Sequence, residues 1–184
     1  MAFEFPIDSV DPDNLDGFNP VAAGLYHVEI NSVDENSGKN DDTMVVDFEI
    51  LAGTTANQEG KTYRDYFGKD TEGQLKRALI LAVASGLLSP DELKQHKDAG
   101  TNPSVDFETL APGRQLCIGL EDETWEGKTR AKMGFKMFAI DSEPAGDIPM
   151  NKGKLAQLGN VTTATAAPAA AAAPGSEDAF DNVF

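Results

Sequence analysis

Residues 61–88 read KTYRDYFGKDTEGQLKRALILAVASGLL. The period of the apolar residues changes inside this stretch. Its first seven residues are short, aromatic and alternating, the pattern of a strand. From Thr71 onward Leu75, Ala78, Leu79, Ala82 and Val83 recur at helical spacing and predict one buried face. Thr71 can cap the start and Gly86 can close the end. A strand therefore hands over to a well-marked helix in mid-chain. What lies on either side of that helix decides the fold.

Two further strands precede it. In GLYHVEINSV, residues 24–33, Tyr26, Val28 and Ile30 share one face while Leu25, His27 and Glu29 share the other. After the turn-rich DENSGKNDD comes TMVVDFEILAG, residues 43–53, rich in β-branched and aromatic residues. TTANQEG then breaks the pattern before strand three. Downstream, SPDELKQHKDAG predicts a short second helix with Ser89 as N-cap, Pro90 at its first position and Gly100 past its end. TNPSVDFETLAPG reads as a loop. RQLCIGLE and KTRAKMGFKMFAI read as strands four and five, joined by the polar tip DETWEG. The expected fold is mainly β with one or two helices. Three strands, a helix and two strands is the order of a five-stranded, OB-like Greek-key barrel with its helix between strands three and four, an order other small α+β sheets share.

The 184 residues divide unevenly. Residues 1–20 form an acidic, proline-bearing N-terminal arm. Residues 21–141 are the expected domain, large enough for its own core without disulfides or metals. Residues 142–176 read as a flexible Ala/Pro-rich linker and 177–184 as an acidic tip, so the C-terminal tail is expected to be disordered. A single cysteine, Cys117, excludes an internal disulfide framework and suits a reducing compartment. No basic, apolar leader opens the chain, and no apolar run approaches the roughly eighteen residues of a membrane span. A soluble, cytoplasmic protein is expected, in the host cell if phage-encoded. The net charge is −16, distributed as −12 over residues 1–60, −1 over 61–141 and −3 over 142–184. Nearly all the cations lie in the middle of the chain.

Strand five concentrates them. Lys128, Arg130, Lys132 and Lys136 fall on alternate positions, broken only by Gly134, while Thr129, Ala131, Met133, Phe135 and Met137 take the other face. Pairing Leu120 with Thr129, Ile118 with Ala131 and Leu116 with Met133 matches the core faces. That register sets Glu121 against Lys128 and places Gly119 and Cys117 beside Arg130 and Lys132. One acid then neutralises a row of four cations. Such a row, with aromatics nearby, is how single-strand binders track phosphates and stack bases. Trp125 at the hairpin tip is a candidate stacking residue or else a cover over the barrel end. Tyr63 and Tyr66, with Lys61 and Arg64 beside them, are further candidates. Their odd spacing puts the two tyrosines on opposite faces of a regular strand, so at most one of them stacks unless a bulge intervenes.

The chain ends GSEDAFDNVF after a run of Ala and Pro. Glu177, Asp178 and Asp181 alternate with Phe180 and Phe184, and Phe184 carries the terminal carboxylate. Such a tip can dock with Phe in an apolar pocket and its acids against basic residues of a partner. It can also compete in cis for the chain's own cationic strand.

A five-strand order, a basic strand face, an Ala/Pro tether and an acidic terminus ending in Phe resemble the single-stranded DNA-binding proteins of bacteria and phages. The body, through AGLYHVEI, VVDFEILAG, GKTYRDYF and the helix end ASGLL, is similar to small phage proteins encoded beside replication and recombination genes. The resemblance spans roughly residues 20–141 plus the tail. It implies sequence-independent binding of single-stranded DNA in phage replication or recombination, with the tail recruiting partner proteins. Bacterial members end in Pro-Phe, whereas here Asn182 and Val183 precede the final Phe. The loop after strand one, cationic in many DNA-binding OB barrels, here holds Asp34, Glu35, Asp41 and Asp42 against Lys39. An acidic interaction module without nucleic-acid binding, a DNA mimic or a phage assembly adaptor, is the alternative. Self-association into a homo-oligomer is compatible with the sequence.

No enzyme is expected. PDELK at 90–94 mimics a nuclease motif, but its residues lie on one helical turn. Neither acidic loop fits a calcium pattern, and GKTYR and GKTRA lack the preceding glycine of a phosphate-cradling loop. His27, His96 and Cys117 have no partner at catalytic or metal-ligating spacing. Neither a cofactor nor a metal is expected.

Overall fold

A computed structural model describes residues 20–35, 43–125 and 127–155. Five antiparallel strands form one sheet: β1 (Gly24–Asp34), β2 (Thr43–Gly53), β3 (Thr62–Gly68), β4 (Gln115–Trp125) and β5 (Lys128–Phe138). Their order is β3-β2-β1-β4-β5. β1 pairs with β2 on one side and β4 on the other, so the chain leaves the sheet after β3 and returns to the far side of β1. This is the Greek-key order expected for an OB-like fold. The sheet is curled but open, because no backbone ladder joins its edge strands β3 and β5.

The alternation in the strands selects the core as expected. Tyr26, Val28 and Ile30 of β1, Val46 and Phe48 of β2, and Leu116 and Ile118 of β4 are fully buried on the inner face. Helix α1 (Glu72–Ala84) lies against both β3 and β5. The Thr71 hydroxyl accepts the Gln74 N–H, and Gly86 follows the helix end at φ +71°. α2 (Pro90–Ala99) has a complete capping box between Ser89 and Glu92 and a left-handed Gly100 at its end. A short α3 (Phe107–Leu110), capped by Asp106, falls inside the expected loop. No helix among the described residues is long and apolar enough to cross a membrane.

Three expectations are corrected. First, α1 is turned about its axis. Its buried face runs through Ala78, Leu81, Ala82 and Ser85, whereas Leu75 is 51% exposed. The turn carries Arg77 inward, between the edge strands. Second, the register of β4 on β5 differs. Leu120 faces Met133, Glu121 faces Lys132, Glu123 faces Arg130 and Trp125 faces Lys128. The strand continues through DETW, and Gly127, at φ +76°, takes the reversal. Third, the fold runs past residue 141. Residues 139–155 cross the outer face of the sheet, where Ala145 and Ile148 are buried with Cys117 and pack beside Leu25, Phe138, Ile140 and Met150. The N-terminal arm to residue 19, most of the acidic loop and the tail from 156 lie outside the described residues.

Candidate nucleic-acid interface

The two edge strands face each other across a seam that side chains close. Tyr63 points inward from β3, packs beside Phe48 with ring centroids 6.4 Å apart, and its hydroxyl accepts the Met133 N–H of β5 at 2.9 Å. Burial pushes the Tyr63 phenol up to about 12, so it stays protonated. Arg77 of α1 supplies the rest. Its Nη2 donates to Asp65 Oδ2 at 2.5 Å and Met133 O at 3.0 Å, its Nη1 to Tyr66 O at 3.2 Å and its Nε to Gly134 O at 3.2 Å. The guanidinium also lies 4.8 Å from the Phe67 ring centroid. One side chain thus joins both edges. Burial raises the Asp65 carboxyl above its ordinary value, while the Arg77 charge beside it pulls the other way.

On either side of this clasp an aromatic ring faces solvent. Tyr66 of β3 is 55% exposed and Phe135 of β5 is 53% exposed. Lys76 Nζ stands 5.8 Å from the centroid of the Phe135 ring. The alternation in β5 placed Phe135 in the core, but a bulge removes it. Ile118 faces Met137 and Leu120 faces Met133, so Gly134, Phe135 and Lys136 together oppose Gly119. A Cβ on Gly119 would come within 2.8 Å of the Lys136 Cβ, so the bulge needs glycine there.

The expected cation row is present but not bare. Arg130 and Lys132 both reach Glu123, at 3.0 and 2.6 Å, and Lys136 reaches Glu121 at 2.5 Å. These bonds hold the Glu123 carboxyl below its ordinary value, Lys132 being the larger influence. Arg64 forks onto Asp47, with bonds of 2.7 and 2.8 Å, and that contact lowers the Asp47 carboxyl. The expectation of one neutralising acid is therefore overturned. It followed from the register. The true pairing puts Glu121 and Glu123, rather than Gly119 and Cys117, beside the basic residues. Lys61, half-buried just before β3, has no carboxylate partner among the described residues. The pairs on β5 are exposed, with Arg130 at 65%, and pairs so open to solvent hold their partners only weakly.

The candidate residues do not form a single face. Tyr63 is consumed by the seam. Tyr66 and Arg64 point out from β3. Trp125 and Lys128 are register partners at the far end of β4 and β5, beyond the last pairing of β4 with β1 at Leu120. Residues 121–125 and 128–132 therefore extend past β1 as a two-stranded ladder, with Ala131 packed back against the core. Glu177, Asp178, Phe180, Asp181 and Phe184 lie outside the described residues. Sequence reasoning missed Phe135, Lys76 and Arg77. The signals for them were weak: a glycine in each of two facing strands, and a charge on an apolar helix. Among the described residues no group of three or more His, Cys, Asp or Glu side chains is placed to hold a metal ion. No family model matches the chain, and no curated protein sequence is significantly similar to it.

Proposed function

We propose that this protein binds single-stranded DNA without sequence preference along the β3–β5 seam. The observation that carries the reading is the pair of solvent-facing rings, Tyr66 and Phe135, set on two sides of one arginine clasp. Lys76 stands beside one ring, and Arg130 and Lys132 line the strand leading to it. Stacking on exposed rings is blind to base identity, and Lys or Arg neutralises the phosphates between. The ion pairs to Glu123 are weak enough for a phosphate to replace the carboxylate. With a net charge of −16 the rest of the surface repels the polyanion, so affinity is modest and falls steeply with salt. The setting in phage replication or recombination rests on the sequence resemblance alone. So does recruitment of partner proteins by residues 177–184.

Fluorescence anisotropy of labelled oligo-dT tests this. Binding is expected at about 20 mM salt and is lost on raising salt. Tyr66→Ala and Phe135→Ala each weaken it by about 1–3 kcal/mol, roughly five- to 150-fold. No binding at low salt, by the whole chain or one ending at residue 174, overturns the reading. One observation favours the alternative of an acidic interaction module: the neighbouring strand β4 supplies acids to the cation row of β5, and Glu121 and Glu123 satisfy Arg130, Lys132 and Lys136.

A further inference from the structure

We propose that residues 139–155 are a strap that acid releases: protonation of His27 breaks its bond to Asn151, lifts the strap from the outer face of the sheet and uncovers Cys117. The inference is independent of what binds at the seam, since β1, which carries His27, is the central strand and the seam joins the two edges.

The protonation state of His27 follows from its neighbours. The ring has no exposed surface. Gln115 Nε2 donates to Glu29 Oε2 at 2.9 Å and to Lys154 O at 3.3 Å, which orients the amide and turns its Oε1 toward His27. His27 Nε2 lies 3.1 Å from that oxygen and must donate to it. The other nitrogen, Nδ1, then carries no proton and accepts the Asn151 N–H at 3.1 Å. Glu29, Gln115 and His27 thus form a relay that leaves one acceptor aimed at the strap. A proton on Nδ1 would set N–H against N–H.

The charged groups around the ring reinforce the switch. Glu29 lies on the same strand, two residues on, and Glu49 of β2 faces it in the ladder. Lys154 of the strap sits 3.7 Å from Glu29. On β4 the ladder partner of His27 is Cys117, whose thiol burial pushes up to about 11. Burial lowers the His27 value below its ordinary 6.5, outweighing the bond to Gln115 and the charge of Glu29. The unfolded or released form therefore binds a proton more readily than the strapped form. The strap's hold is complete above about pH 6.5 and declines as pH falls below it. Release also takes Lys154 away from Glu29, and a freed Glu29 favours the imidazolium. Opening and protonation therefore promote each other.

The strap is the element able to move. β1 is laddered on both sides, whereas the strap is held by Ala145 and Ile148, by Asn151 to His27 and to Leu51 O at 3.3 Å, and by the Lys154 contacts. Met150 Sδ lies 3.9 Å from Cys117 Sγ, so lifting the strap uncovers the thiol.

Labelling of Cys117 in the whole chain with 4,4′-dithiodipyridine, which stays reactive in acid, reads the switch. Cys117 is expected to be protected at pH 7.5 and to label about tenfold faster at pH 5, against the trend of thiol ionisation. His27→Asn places an amide oxygen where Nδ1 stands and is expected to abolish the rise. Asn151→Pro removes the donor and is expected to give fast labelling at every pH. Labelling that stays flat or slows on acidification overturns the proposal. So does a rise that accompanies loss of the β-sheet circular dichroism, because that is global unfolding, and so does a rise that persists in folded His27→Asn. Should that variant not fold, faster amide exchange at 145–154 in the acidified wild type is expected, and unchanged exchange overturns the proposal.

Discussion

The guanidinium of Arg77 meets four oxygens on two edge strands, where a closed barrel would have a backbone ladder. With Tyr63 it satisfies both the N–H and the C=O of Met133, which would otherwise face a gap. Arg77→Met removes one partner of a pair in which both side chains are about 15% exposed and strands the Asp65 carboxylate. The expected loss is about 3–5 kcal/mol, read as a lower urea midpoint at unchanged slope. Acidification should restore part of it, because Asp65, raised by burial, sheds its charge by taking a proton. A variant as stable as the wild type would show that the clasp holds nothing together. In the sequence Arg77 stands between Lys76 and Ala78 like any solvent-facing charge. Helical periodicity weighs apolar residues and assigns a lone cation to the outside, so it chose the stripe through Leu75 and turned the helix the wrong way. Tyr63 and Tyr66 were better marked, since odd spacing alone sends them to opposite faces.

At the scale of the elements, β1, β2 and the two capped helices were legible because each carries a complete local signal: alternation in the strands, Ser89 with Glu92 and Pro90 in α2. The β4–β5 hairpin was not. Its outer half has little core to face, so Asp122–Thr124 look like a polar loop although they are laddered strand. The bulge then breaks the period on which the register was built, moving Phe135 from the expected core to the surface. The glycine opposite it is the testable part. Gly119→Ala drives a methyl into Lys136 and should cost about 1–3 kcal/mol. In Gly119→Ala/Lys136→Gly the clashing Cβ is gone, and most of that loss should vanish in a double-mutant cycle of urea unfolding. Additive losses would place the strain elsewhere.

For the whole molecule, the limit of the folded body was set too early, at residue 141. Composition explains the error. Residues 142–155 hold two prolines, two glycines and few apolar side chains, the makeup of a linker. Their contribution comes from sparse contacts that only the sheet makes meaningful: Ile148 and Ala145 over Cys117, and Asn151 on the ring of His27. Every contact named for the strap closes at or before Leu155. A chain ending at 155 should therefore keep the melting temperature of the full protein. One ending at 141 should lose about 3 kcal/mol, from the burial of Ile148 and its neighbours and from the bonds of Asn151, and its melting temperature should fall by roughly 10 °C or more. The shorter chain should also expose Cys117 to thiol reagents at neutral pH, where the longer one protects it. Equal melting temperatures for the two would make residues 142–155 a passive cover. A loss shared by the chain ending at 155 would place the stabilising contacts in the tail beyond it.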